Sequence, residues 1–190
     1  VENTLPTAEK FASRMPNLGL GDGSRIVLQD DSPLKSGARA WFMLTMFGAH
    51  NVAILDGGIA KWKAEGRPLA QGKENLRHRH FTVWRDDKHV RTKADMLANL
   101  HGKAEQVLDA RPAGRFTSDD ADPRGLAAGH IPGSRNLPHS ELFNADGTWK
   151  TGDNLASAFT AAGIDLEKPV VTSCGSGMTA SVLAFGMHLL

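Results

Sequence analysis

The chain has 190 residues, with 22 Lys and Arg against 21 Asp and Glu and a formal net charge of +1. So even a balance creates no bulk field for nucleic acid or an anionic membrane surface, and no apolar run approaches the roughly 20 residues of a membrane span. The single cysteine, Cys174, excludes an intramolecular disulfide framework and a cysteine-based zinc cluster; a free thiol suits a reducing compartment, here read as the cytoplasm.

No secretory signal pattern opens the sequence. It begins on Val1 rather than Met and stops at "GMHLL" inside a helical pattern, so both ends read as cut. Along the chain, strands and helices alternate. "TAEKFASRM" predicts a short amphipathic helix with Thr7 as its cap and Pro16 as its end. "RIVLQ" predicts a buried strand, "ARAWFMLTMFG" a buried helix, "NVAIL" a second strand and "IAKWKAEG" a short helix. From Gln71 to Val90 the periodicity fails, and the stretch is polar, basic and His-rich. Its basic run is short and interrupted by Asp86 and Asp87, so it reads as a linker laid along one unit rather than a nucleic-acid patch.

A second block follows. "TKADMLANL" predicts a helix capped by Thr92, and "EQVLDA" a strand. "RPAGRFTSDDADPRGLAAG" reads as a long polar loop and "HIPGSRNLP" as a turn into a short strand. "TGDNLASAFTAAGI" is a helix with Asp153 in its first turn; "KPVVTS" is a strand, "CGSGMT" a loop and "ASVLAFGMHLL" a helix. The two blocks repeat each other. "RIVLQDDSPLKSGARAWF" resembles "KPVVTSCGSGMTASVLAF" as strand, short polar loop and apolar helix, and "IVLQD" aligns with "VVTSC" at a spacing of 144 residues, with Asp30 at the position of Cys174. A repeat of that size implies a duplicated unit whose chemistry survives in one copy, and strands alternating with helices imply parallel sheets covered on both faces.

The strand–loop–helix around Cys174 carries the chemistry. Such a loop can turn several N–H groups inward as an anion nest, with the helix N-terminus adding partial positive charge. Gly175 and Gly177 permit backbone angles and close approaches that a Cβ forbids. A thiol there is expected to have a lowered pKa. The bland alternative is a small buried hydrophobe. A phosphatase loop, which also starts with Cys at a strand end, needs an Arg six positions on, where this chain has Ala180.

"CGSGMTA" resembles the loop "CGSGVTA" of the 3-mercaptopyruvate sulfurtransferases, tandem two-domain members of the rhodanese superfamily. "LDARPAGRF", "GHIPGSRNLP", "ILDGGIAKW" and "LPTAEKFASRM" resemble further family segments in the expected order. The resemblance implies an α/β fold of two tandem rhodanese-like domains, each a parallel sheet flanked by helices and both incomplete in this chain. The expected division is an inactive unit over 1–70, a linker over 71–91 and a catalytic unit over 92–190.

It further implies Cys174 as the nucleophile that carries sulfur as a persulfide, and Ser176 as the serine that relays a proton. Gly175, Gly177, Met178 and Thr179 would line the donor, with Met178 replacing the family's Val. Two family arginines that hold the donor's carboxylate match Arg115 in "GRF" and Arg124 in "DPRG". The implied donor is 3-mercaptopyruvate and the implied acceptor cyanide or a thiol such as thioredoxin; no metal or organic cofactor is implied. Thiosulfate-using relatives carry cations in this loop, as in "CRKGVT", which suit a small dianion. Here Gly175 and Ser176 replace them, and the neutral "GSGMT" loop suits a carbon-bound sulfur donor, with thiosulfate sulfurtransfer as the rival activity. A catalytically dead sulfur-binding or scaffold module is the rival outside enzymes. The family's relay continues to a His and an Asp near the start of the inactive unit, which match no residue here. His130 is expected to have a structural hydrogen-bonding role, and His139 and His101 surface or packing roles.

Overall fold

The computed structural model describes residues 4–190. Its first unit opens with helix α1 (Ala8–Arg14), whose N-terminus is capped by the Thr7 hydroxyl accepting from Lys10 N. Pro16 cannot continue the helix and instead starts a 3-10 turn over Pro16–Leu18. Strand β1 (Ile26–Leu28), helix α2 (Gly37–Met46) and strand β2 (Val52–Ile54) then form a βαβ crossover, with Ile26 opposite Val52 in a parallel pair. Helix α3 (Gly58–Ala64) follows.

Residues 67–86 form no helix or strand, and a 3-10 turn occupies Asp87–His89. This stretch is strapped along the first unit. Asp22 accepts from both the backbone and the hydroxyl of Thr82. Trp84 N and Asp86 N donate to Phe47 O and Met46 O. Phe81 enters the core made by Phe11, Met15, Ile26, Leu44, Met46 and Phe47.

The second unit begins with α4 (Lys93–Gly102), closed at its start by a capping box between Thr92 and Asp95. Strand β3 (Gln106–Asp109), helix α5 (Ala113–Thr117), strand β4 (Arg135–Asn136), helix α6 (Gly152–Ala161), strand β5 (Val170–Ser173) and helix α7 (Met178–His188) complete it. The sheet order is β4-β3-β5, all parallel. The stretch read from sequence as one polar loop therefore contains α5, too short to announce itself by periodicity. The strand after "HIPG" spans only two residues. Among the described residues no helix is long and apolar enough to cross a membrane.

The units share packing through their equivalent helices. α2 turns Leu44 and Met46 toward its own unit's core and Ala38 and Trp41 into the second unit's core, against Val182, Leu183 and Phe185 of α7. Reciprocally, the second unit covers the Asp30 loop. His139 Nε2 lies 3.4 Å from Pro33 O, Lys35 sits over the Phe143 ring, and Trp149 N donates to Asp56 at 2.8 Å.

Candidate functional site

β3 and β5 are zipped in register from Gln106–Val170 to Asp109–Ser173, and Ala110 N then donates to Ser173 O. That pairing delivers Cys174 to the C-terminal end of the sheet, where ligands of open parallel sheets sit. The chain turns through Gly175, Ser176 and Gly177 straight into α7. Gly177 is the N-cap at φ +80, a left-handed conformation that Gly adopts without penalty. Its carbonyl is held by the Ser181 hydroxyl at 2.7 Å.

The turn wraps the thiol. Gly177 N donates to Cys174 Sγ at 3.1 Å. Burial pushes the Cys174 pKa up. The Thr179 hydroxyl and the N–H groups of Ser176, Ala180 and Gly177 push it down and prevail, leaving it below the ordinary thiol value. These donors favour a thiolate, and an anionic sulfur attached to it, at the positive end of α7. Ser176 thus faces the sulfur with its backbone, a contribution separate from any relay by its hydroxyl. Thr179 is buried, while Met178 is half-buried at the first turn of α7.

The loop lacks a cation of its own, yet arginines from other elements surround it. Arg124 donates through Nη1 to Gly175 O at 3.0 Å, and a Cβ on Gly175 would overlap Arg124 Nη2. A larger residue there would have to push the guanidinium aside. Arg124 is aimed by Asp122, which accepts from its backbone N, its Nε and its Nη2 at 2.9–3.0 Å. Arg115, on α5, meets the same carboxylate through Nη2. Arg115 Nε is buried without a hydrogen-bond partner. The hydrogen bonds from Arg124 and the charges of Arg115 and Arg124 hold the Asp122 carboxyl far below the usual carboxylate range.

Of the residues singled out from sequence, Cys174, Ser176, Gly175, Gly177, Thr179 and Arg124 therefore meet at one point. Arg115 is tied to it through Asp122. Asp122 escaped the sequence reading, although an acid two positions before Arg124 in "ADPRG" is a local signal for such a clamp. Two further cations whose charge acts on Cys174, Arg111 and Arg39, were also not singled out. Arg111 forks onto the buried Asp109 and donates to Gly129 O, so the "DAR" segment is an ion pair that ties down the loop below β3. His130 receives a structural setting too. Its Nδ1 lies 2.9 Å from Phe116 O, and its ring stacks on Phe116 at 3.9 Å between centroids.

This architecture has close relatives. A protein named 3-mercaptopyruvate sulfurtransferase from Mus musculus is 38% identical over 191 residues, covering 99% of this chain and 64% of the relative. A thiosulfate sulfurtransferase from Gallus gallus is 33% identical over 187 residues, covering 97% of this chain and 64% of the relative. The crystal structure of SseA from Escherichia coli, described as a 3-mercaptopyruvate sulfotransferase with the rhodanese fold, superposes with a TM-score of 0.85. It is 36% identical, over 96% of this chain and 68% of that one. The chain thus spans a little under two thirds of the length of these two curated relatives. The rhodanese-like domain matches residues 2–65 and 92–189, one stretch in each of the two α/β units, so the duplicated fold and the cysteine loop have a common explanation: the chain belongs to the rhodanese-like domain family.

Proposed function

We infer that the chain is a sulfurtransferase that takes sulfur from 3-mercaptopyruvate onto Cys174. The observation that carries this reading is the thiol held by Gly177 N at 3.1 Å at the mouth of α7, with Arg124 seated on Gly175 beside it. The Cys174 thiolate attacks the donor sulfur, a sulfur–sulfur bond forms and the carbon–sulfur bond breaks. The electron pair leaves on carbon as pyruvate enolate, which takes up a proton to become pyruvate. The loop N–H groups stabilise the outer sulfur of the persulfide as an anion. An acceptor thiol such as thioredoxin, or cyanide, then attacks that outer sulfur and Cys174 departs as thiolate, completing a ping-pong cycle. The Ser176 hydroxyl is the proton relay of this scheme. A thiol that must stay reduced between turnovers suits the cytoplasm.

Thiosulfate is the rival donor, and a relative named for it lies within a few per cent of identity. The space beside Gly175 argues for mercaptopyruvate. A loop cation at that position, as in "CRKGVT", would displace the Arg124 guanidinium, whereas with glycine there Arg124 and Arg115 stay oriented by Asp122 to meet a donor carboxylate. The test is mass spectrometry of the protein after incubation with each donor, paired with thiocyanate formation. Gain of one sulfur atom at Cys174 from mercaptopyruvate, with faster thiocyanate release than from thiosulfate, is the expected result. Thiosulfate preference would transfer the assignment to the rival donor, and no sulfur gain from either would indicate a non-catalytic module.

A further inference from the structure

Arg39 lies half-buried on α2, with its guanidinium over the Phe42 ring and Cζ 5.8 Å from the ring centroid. That guanidinium reaches across to the Cys174 loop: a Cβ on Gly177 would lie 3.0 Å from Arg39 Nη1, 3.3 Å from Cζ and 3.5 Å from Nη2. A half-buried cation carries a desolvation cost, which an anion nearby offsets. Gly177 is also the residue whose N–H binds the sulfur.

We propose that Arg39 is the cation by which the first unit completes the sulfur site of the second, holding the anionic sulfur of Cys174 from across the junction. The assignment rests on the sulfurtransfer reading for its purpose, though not for its test. Gly175 and Gly177 then have matching roles. Each is a gap in the loop filled by an arginine from elsewhere, Arg124 at the first and Arg39 at the second. The loop achieves with borrowed charge what "CRKGVT" loops achieve with their own, and it does so only when the two units are joined. Burial lowers the Arg39 pKa and the charge of Cys174 works against that lowering, the reciprocal of the same interaction. The other charged groups around the thiol are Arg111 with its partner Asp109, and Arg124 with Asp122 and Arg115 behind it.

The experiment is the pH dependence of iodoacetamide alkylation of Cys174 in the whole chain, with the donor left out. Arg39→Gln is expected to raise the midpoint by about 0.5–1 pH unit, at or below the low end of the range for charges in direct contact. Arg39→Lys, which keeps the charge, is expected to recover at least half of that rise. Arg39→Met keeps an unbranched apolar stem on α2 and serves if the Gln variant fails to fold by circular dichroism; it should match the rise predicted for Gln. A midpoint within about 0.2 unit of the parent in the neutral variants, or a Lys variant no better than Gln or Met, would overturn the proposal. Failure of the sulfurtransfer reading would appear separately, as no sulfur gain from either donor in the parent chain.

Discussion

Trp41 of α2 and Phe185 of α7 meet edge to face with ring centroids 5.0 Å apart. The contact joins the equivalent helices of the two units, one following β1 and the other following β5. Trp149 extends the cluster, 5.0 Å from Phe185 between centroids. Because α7 begins at the cysteine loop and α2 carries Arg39, this aromatic contact also sets the distance between them.

Breaking that contact should loosen the junction. Phe185→Ala is expected to destabilise the chain by about 3–5 kcal/mol, the usual cost of deleting a buried aromatic ring. Denaturant unfolding of Phe185→Leu, Trp41→Leu and the double variant should give a coupling of about 0.5–1.5 kcal/mol. Zero coupling would mean that the two rings are merely neighbours.

The cysteine pKa has a definite sign. Cys174 is an acid whose folded pKa is lowered by the loop donors. Its contribution to stability is therefore fully present above the unfolded thiol pKa, about 8.5, and is lost as pH falls through the folded value. Alkylation should have its midpoint below about 8.5, and Thr179→Val should raise it by removing the foremost of those donors. A parent midpoint at or above the free-thiol value would contradict the geometry of the loop.

Much of this arrangement was legible before any coordinates. The alternation of "RIVLQ", "ARAWFMLTMFG" and "NVAIL" fixed a parallel crossover because period and length agree for each segment. The repeat likewise aligned Asp30 with Cys174, and the structure gives that loop the same job of gathering donors: Asp30 accepts from Ser32 N at 2.8 Å and Gly37 N at 2.7 Å. Helix α5 stayed hidden because five residues after a proline are too few for a periodic signal. Arg39 stayed hidden for another reason. An arginine reaching across a unit boundary is tertiary information with no trace in local pattern, whereas Asp122 left a local one, two positions before Arg124. The reading of "GSGMT" as a neutral loop was correct as composition, and the cations that serve it lie 135, 63 and 50 positions before Cys174 at Arg39, Arg111 and Arg124.

The arginine on Gly175 makes that glycine sensitive. Gly175→Ala places a Cβ in the space of Arg124 Nη2 and should push the guanidinium off the loop carbonyl. The expected result is a KM for mercaptopyruvate raised about tenfold, about 1.4 kcal/mol of lost binding. The alkylation midpoint should rise slightly, since the charge of Arg124 also favours the thiolate. Steady-state kinetics separates this from a folding defect, which would lower the active fraction and leave KM alone.

Asp122 controls two arginines at once, so its removal tests whether orientation or net charge matters more. Asp122→Asn keeps the shape, removes the charge that pairs with Arg115 and Arg124, and leaves the site more cationic. If bulk attraction governed donor binding, affinity for a carboxylate would improve. A planar fork binds carboxylate well only when held in plane, and Asp122 supplies that hold through three contacts to Arg124 alone. The expected outcome is therefore a KM raised at least about fivefold, with added salt weakening the variant more than the parent because its arginines now act as unoriented charges. Measuring KM against ionic strength for both proteins decides the matter, and a KM lower than the parent's would assign Asp122 a damping role instead.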